Sequence, residues 1–412
     1  MKSLSLNIRA LFALAITLLL AGQLQAQDDG KEKTMDVYGF IMMDAGYNMN
    51  QIQNDWYDVV RPTKLPTYKN QYGTDGNFYF SVRQTRLGFK NYFETPMGQL
   101  KTHFEFEMFG TGVDAGQTTI RLRHAYAELG KFGAGQYWSP FMDIDVFPNT
   151  VEYWGPNGMA FFRNVQFRWM PIQGDTRLTF ALERPGASAD QGVYGNRIEL
   201  SGVKPRFAVP DISFEYRQAG SFGYVELAGI ARSIRWEDQN NDAFDLSGSA
   251  LGWGLNLSTN LKFGQNDVFR GAVVYGAGVQ NYFNDAPVDV GIKNNFSDPV
   301  KPIKGVALPI LGITAFLDHT WNEKFSTAIG YSSVNIQNSD GQAADAYHSG
   351  SYIVGNLMYY PVKNTMMGIE YQYGDRHNFN DGATTGSGTV ISSSISKVQF
   401  SFKYNFSQSF YK

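Results

Sequence analysis

The stretch that decides the fold is LGWGLNLSTNLKF, Leu251 to Phe263. Leu251, Trp253, Leu255, Leu257, Thr259, Leu261 and Phe263 take every second position. Gly252, Gly254, Asn256, Ser258, Asn260 and Lys262 stand between them. Side chains of a strand point alternately to its two faces, so this pattern predicts a strand with one apolar and one polar face. Leu100, Thr102, Phe104, Phe106 and Met108 alternate with Lys101, His103, Glu105 and Glu107 in the same way. So do Val398, Phe400, Phe402, Tyr404 and Phe406 with the polar residues between them, and the pattern runs on from Phe269 to Phe283. Soluble strands cluster near ~5–6 residues, whereas a tilted strand crossing a bilayer needs about 9–11. The best segments here have the membrane length.

Outward from that stretch, long and short breaks alternate. Strands are predicted at Met35–Asn48, Phe78–Phe93, Gln99–Phe109, Thr118–Leu129, Phe132–Trp138, Phe161–Met170 and Asp175–Glu183, with the last at Ile395–Phe406. Long breaks fall at Met49–Asn77, Ser139–Ala160, Arg184–Pro210, Trp236–Ser247, Asn284–Lys304, Gln337–His348 and Asp375–Ser392. Short ones include Glu94–Gly98, Gly130-Lys131, Pro171–Gly174 and Gly264–Asn266. The reading gives sixteen strands, eight long loops and seven short turns. An even strand number with long outer loops and short periplasmic turns is the pattern of an all-β transmembrane antiparallel barrel. In lipid every N–H and C=O must be paired internally, and closure achieves this for strands.

Composition agrees. The 412 residues are 18% charged, against about 25% for a soluble domain, and 15% aromatic. Mean hydropathy is −0.30, unlike that of a helical membrane protein. There is no Cys, which excludes disulfides, thiolate metal sites and catalytic thiols. The N-terminus reads as a secretory signal: Lys2 and Arg9, then an apolar run Ala10–Ala21, then Leu24-Gln25-Ala26 as a cleavage site. The expected organisation is a signal peptide at 1–26, a short periplasmic segment at 27–34, a barrel at 35–406 and a tail at 407–412. The mature chain would carry a net charge of −5. With no basic run, nucleic acid is not an expected partner.

A barrel of this kind acts through pore radius and charged side chains at a constriction. The third long loop, Ser139–Ala160, is the constriction candidate, with Trp138, Asp143, Asp145 and Glu152 among its bulky neighbours. Basic residues on the polar strand faces are the pore-lining candidates: Arg86, Lys90, Arg121, Arg123, Arg168 and Arg177. Arginine suits a carboxylate because its planar fork engages both oxygens. The same window, Arg83 to Arg184, holds ten acids against eight Arg and three Lys, so mutual neutralisation across the wall is the competing reading. Strict alternation also places His124, Tyr126 and Glu128 opposite Arg121 and Arg123, which assigns one of these sets to a subunit interface.

Other constellations are sparser. Asp238, Asn240 and Asp242 have the first spacings of a calcium loop, but Ala243 stands where Gly is needed and Ser249 where the bidentate acid belongs. The five His are dispersed. No metal, cofactor or catalytic residue is expected.

Several stretches resemble the DcaP-type porins, outer-membrane channels associated with dicarboxylates. They are VYGFIMMDAGY (Val37–Tyr47), RQTRLGF (Arg83–Phe89), FEFEMFG (Phe104–Gly110), RLRHAYAELG (Arg121–Gly130), GQYWSPFMDIDVFPNT (Gly135–Thr150) and GPNG (Gly155–Gly158). The resemblance implies a homotrimer of sixteen-stranded barrels in the bacterial outer membrane, with a loop folded into each pore. Tyr404-Asn405-Phe406 fits the aromatic end read by barrel-assembly machinery, although six residues follow it. The expected function is passive diffusion of small hydrophilic solutes through the pore of a barrel set in outer-membrane lipid, favouring organic anions such as dicarboxylates. A plugged barrel acting as adhesin or receptor is the second reading, and a barrel hydrolase the third.

Overall fold

The computed structural model describes residues 32–412; the expected signal peptide and most of the segment 27–34 lie outside them. The chain forms a closed antiparallel barrel of sixteen strands. They are β1 (Lys33–Asn48), β2 (Asn77–Ser81 continued by Arg86–Thr95), β3 (Gly98–Phe109), β4 (Thr118–Leu129), β5 (Phe132–Trp138), β6 (Arg163–Ile172), β7 (Thr176–Glu183) and β8 (Asp211–Gly220). Next come β9 (Gly223–Asp238), β10 (Gly248–Phe263), β11 (Asp267–Ala277), β12 (Pro309–Asn322), β13 (Phe325–Ile336), β14 (Tyr347–Tyr359), β15 (Thr365–Asn378) and β16 (Ser393–Tyr411). Each strand pairs with its sequence neighbour, and β16 closes on β1 from Lys33↔Tyr411 to Asn48↔Lys397. No free edge is left in the ring.

The burial pattern is that of a membrane barrel. On β10 the apolar row is outside, with Leu251 69% and Leu257 53% exposed. The polar row is inside, with Asn256 and Ser258 at 2% and 1%. A soluble sandwich would show the reverse. Two of the long loops pack apolar clusters against inward-facing strand residues. Ile52, Trp56, Val59, Val60 and Leu65 from the first long loop pack with Phe316, Tyr352, Val354 and Ile395. Phe141 and Met142 from the third pack with Ile230, Val274, Tyr282, Ile310 and Val334.

Several local expectations are corrected. β2 is broken at Val82–Thr85, because Arg83 and Gln84 turn inward. Arg83 donates to Asp58 at 2.7 Å, and Gln84 donates to Asp44 at 2.9 Å and to the Val151 carbonyl at 2.8 Å. Pro171 and Ile172 belong to the end of β6, where the register with β7 shifts after Trp169. A missing N–H is tolerated at such a bulge. β11 stops at Ala277, although the alternation continues to Phe283. Gly278 has φ +65° and leads the chain inward, burying Val279, Tyr282 and Phe283. Residues 407–411 are the end of β16, paired with Val37 and its neighbours, and do not form a tail.

Candidate functional site

The wall formed by β2, β3 and β4 carries the densest charge. Glu105 and Glu107 alternate with Phe104 and Phe106, which face lipid, so both carboxylates point inward. Glu107 is fully buried, and three guanidinium groups converge on it. Arg86 lies at 3.2 Å, Arg123 at 2.7 Å, and Arg121 donates to its Oε1. Arg123 also reaches Glu105 at 2.6 Å. The Tyr153 hydroxyl, from the third long loop, bonds to both Arg121 and Glu107. Arg86 and Arg121 keep about a fifth of their side-chain surface exposed, whereas Arg123 keeps 4%.

The face of Arg121 and Arg123 is settled by a β-bulge. Glu105 pairs with His124, but the next residue, Phe106, pairs with Leu122. Two residues of β4, Arg123 and His124, therefore stand where one would, and both point inward. Below the bulge Tyr126 and Glu128 follow His124; above it Arg121 follows Arg123. The two polar sets expected on opposite faces share one, and neither is left for a subunit interface. The bulge also unites two of the dispersed histidines: His103 and His124 have ring centroids 4.7 Å apart, and His103 Nε2 lies 2.5 Å from the Tyr38 hydroxyl.

The other basic candidates are placed as follows. Lys90 lies over the Tyr38 ring at 5.2 Å. Arg168 is buried, bonded to Gln166 at 2.8 Å and to the Trp138 carbonyl, and lies over the Tyr126 and Tyr137 rings. Arg177 sits apart on β7, 3.9 Å from Glu226 and more exposed than the rest. Arg163, which sequence reading passed over, stacks on Trp138 at 5.0 Å with one buried guanidinium nitrogen unpartnered. Its place immediately before the alternating run of β6 hid it.

The segment from Ser139 to Ala160 bonds along inward-facing side chains of β8 to β15. Asp143 accepts from Arg217 at 2.6 Å, Tyr224 at 2.7 Å and Ser258 at 2.7 Å. Asp145 accepts from Arg217 at 2.5 Å and stays half-exposed. Arg217 was not foreseen, although it alternates with Tyr216 on β8 and its polar face was readable. Glu152 is buried and accepts from the Val60 N–H at 3.1 Å and the Tyr352 hydroxyl at 3.1 Å. Burial pushes its carboxyl above the usual carboxylate range, against the pull of Lys397 and those N–H bonds. Glu370 on β15 receives the Val151 and Glu152 N–H groups at 2.9 and 3.1 Å.

This segment is locked to two other loops. The Arg61 guanidinium lies against both Trp56 and Trp154, which meet edge to face, 4.1 and 3.9 Å from their centroids, and pairs with Asp285 at 2.8 Å. A cavity of about 620 Å³ lies beside Asp145, Arg217, Asn260 and Arg270. The Asp238 carboxylate is taken up by the Asn240 and Leu246 N–H groups, as in an Asx turn. No metal-ligand cluster occurs among the described residues.

The profile of the DcaP outer membrane protein family matches residues 24–406. The outer membrane channel DcaP of Acinetobacter baumannii has a similar structure, with a TM-score of 0.73 at 19% identity over 92% of this chain and 99% of that one. An anion-selective porin from Comamonas acidovorans aligns at TM-score 0.58 and 10% identity, over 91% of this chain and all of that one. The trimer form of OmpT from Vibrio cholerae aligns at 0.53 and 11%, again over 91% and 100%. No curated protein sequence matches the chain.

Proposed function

Because the chain belongs to the DcaP outer membrane protein family, and so to the porins of the bacterial outer membrane, we propose that it is a passive channel for small hydrophilic solutes that favours organic anions such as dicarboxylates. One observation carries the reading. Around Trp138 and Tyr153 five guanidinium groups, of Arg86, Arg121, Arg123, Arg163 and Arg168, stand with three carboxylates, Glu105, Glu107 and Glu183. The wall keeps a positive excess even where ion pairs are dense. Fixed charge of one sign in a low-dielectric passage attracts solutes of the other.

In this reading the segment Ser139–Ala160 is the constriction. Its bonds run to β8–β15 on one side and, through Tyr153 and the Val151 carbonyl, to Arg121, Glu107 and Gln84 on the other, so it reaches across to the arginine wall and narrows the passage there. Arg86 and Arg121 attract carboxylates, while Arg123 and Glu107 hold that pair in place. Arg217 is shared among Asp143, Asp145 and Glu226, so this side of the passage keeps a negative excess that restrains anions. Three such barrels assemble as a trimer, as in the OmpT trimer form. The channel does no bond chemistry.

The apolar clusters that the first and third loops build inside the barrel favour a second reading, a plugged barrel serving as adhesin or receptor. Planar-bilayer recording separates the two. Open current in steps of three, with a reversal potential on the anion side under a salt gradient, supports the channel. Cation selectivity overturns the anion preference, and absence of conductance favours the plug.

A further inference from the structure

The outer face of the barrel above β6–β9 departs from the pattern elsewhere. Val165, Phe167, Leu182, Phe207 and Val209 are exposed and line a shallow, open cleft of about 410 Å³ between β6, β7 and the segment that leads into β8. Val165, Phe167 and Leu182 belong to the lipid-facing rows of their strands. The cleft thus opens to the bilayer, on the side of the long loops, and its walls suit a hydrocarbon chain.

Arg184 lines its upper end, and Lys204, Arg206 and Arg235 lie next to it beyond Phe207, along a neighbouring pocket. Arg184 continues the outward row after Leu182; its N–H extends the ladder to the Val165 carbonyl, its side chain is exposed, and it lines the cleft. Phe207, on the facing wall, is preceded by Arg206. Arg206 lies in the short strand Val203–Arg206, which pairs with the end of β9 as Arg206↔Arg235 and Lys204↔Glu237. Residues directly opposite in an antiparallel pair share a face, so Lys204, Arg206 and Arg235 lie on one side with Arg235 in the outward row of β9. Glu237 is the one acid in this set, paired with Arg206. Among the described residues, Arg235 bonds only to Ser233 and Lys204 only to the Ser201 carbonyl. Four cations against one anion, on a chain that is negative overall, sit where the apolar belt ends.

We propose that this cleft and its basic rim bind a phosphorylated glycolipid of the outer leaflet, with an acyl chain along Phe167 and Phe207 and phosphate held by Arg184, Arg206 and Arg235. Guanidinium forks match phosphate oxygens, and charge-assisted bonds of this kind are the strong ones. The acyl cleft beneath the rim selects a lipid over a free anion. None of these side chains lies on the arginine wall, so the site is independent of solute passage.

The test is native mass spectrometry of the detergent-solubilised protein titrated with hexa-acylated lipid A bearing two phosphates. Saturable binding at one site per protomer is expected. The variant R184Q/R206Q/R235Q should bind about tenfold more weakly, the scale of one lost charge-assisted contact or more. The charge-preserving R184K/R206K/R235K should retain most of the affinity, and both variants should keep wild-type conductance. Dephosphorylated lipid A and phosphatidylethanolamine should bind weakly to the wild type, and pyrophosphate should compete poorly. Equal affinity for dephosphorylated lipid overturns the phosphate role, and full competition by pyrophosphate overturns the acyl cleft. Both of these outcomes are read on the unaltered protein. Undiminished binding by the glutamine variant also overturns the site.

Discussion

Arg121 and Arg123 make nearly the same ion pairs but should behave differently when neutralised. Arg121 is one-fifth exposed; Arg123 is buried between Glu105 and Glu107. In Arg121→Gln, Glu107 retains Arg86 and Arg123, so the pairs beneath persist while the passage loses one positive charge. For a monovalent anion about 5 Å from that guanidinium, Coulomb's law gives about 0.8 kcal/mol in a water-like dielectric and about 3 kcal/mol at an effective constant near 20. The lower figure corresponds to about a fourfold fall in anion occupancy beside that residue. Arg123→Gln removes a buried charge from two carboxylates, and breaking a buried network in this way costs about 3–5 kcal/mol. The expected assay result is a clear reversal-potential shift toward cations for Arg121→Gln with unfolding nearly unchanged. For Arg123→Gln the loss should appear mainly in the thermal or denaturant midpoint of the detergent-folded barrel. If Arg123→Gln shifts the reversal potential and Arg121→Gln does not, the link drawn here between exposure and selectivity is wrong.

Glu107→Gln should raise anion preference, because three guanidinium groups then share Glu105 alone, and it should also lower stability; a reversal potential moving toward cations would contradict the charge accounting. Arg61→Ala leaves the buried Asp285 without its cation and removes the cation from the Trp56 and Trp154 ring faces, so about 3–5 kcal/mol should be lost; Asp285→Asn in the same background should recover part of it in a double-mutant cycle. Glu152 has a folded-state pKa above its unfolded value, so the native state holds its proton more tightly. Its contribution is full below the ordinary carboxylate pKa and declines as pH rises from there toward neutrality. Glu152→Gln should flatten that slope, measured as unfolding midpoint against pH. Asp143→Asn/Asp145→Asn should loosen the third loop from Arg217 and increase open-channel current noise in bilayer recordings.

The strands were legible because lipid on one side and polar groups on the other impose a two-residue period that nothing else in the chain mimics. Thr118–Leu129 and Phe132–Trp138 were readable to the residue, and the alternation of long and short breaks gave the strand number. Alternation is blind, however, to an added residue. Arg121 and His124 have opposite parity, and only the pairing with Glu105 and Phe106 reveals that the bulge between them brings both inward. The same blindness extended β11 to Phe283, since the period persists past Gly278 while the backbone turns inside. The partners of the candidate arginines were equally hidden. Glu105 and Glu107 lie on a neighbouring strand whose register fixes their contact, and Arg217 meets Asp143 from 74 residues away.

The first long loop leaves β1 and ends up against the last strands of the chain. Arg376 on β15 donates to the Thr63 carbonyl, 313 residues away in sequence, and the Ser393 hydroxyl at the start of β16 donates to the Pro66 carbonyl. The junction of β15 and β16 therefore also seats that loop. A barrel zipped together in strand order would hold an unpartnered, apolar first loop until almost the entire chain had been added. Contacts so distant in sequence repay their closure entropy late. The final strand thus completes the wall and seats the loop in one event, which couples insertion of the cylinder to maturation of its bore.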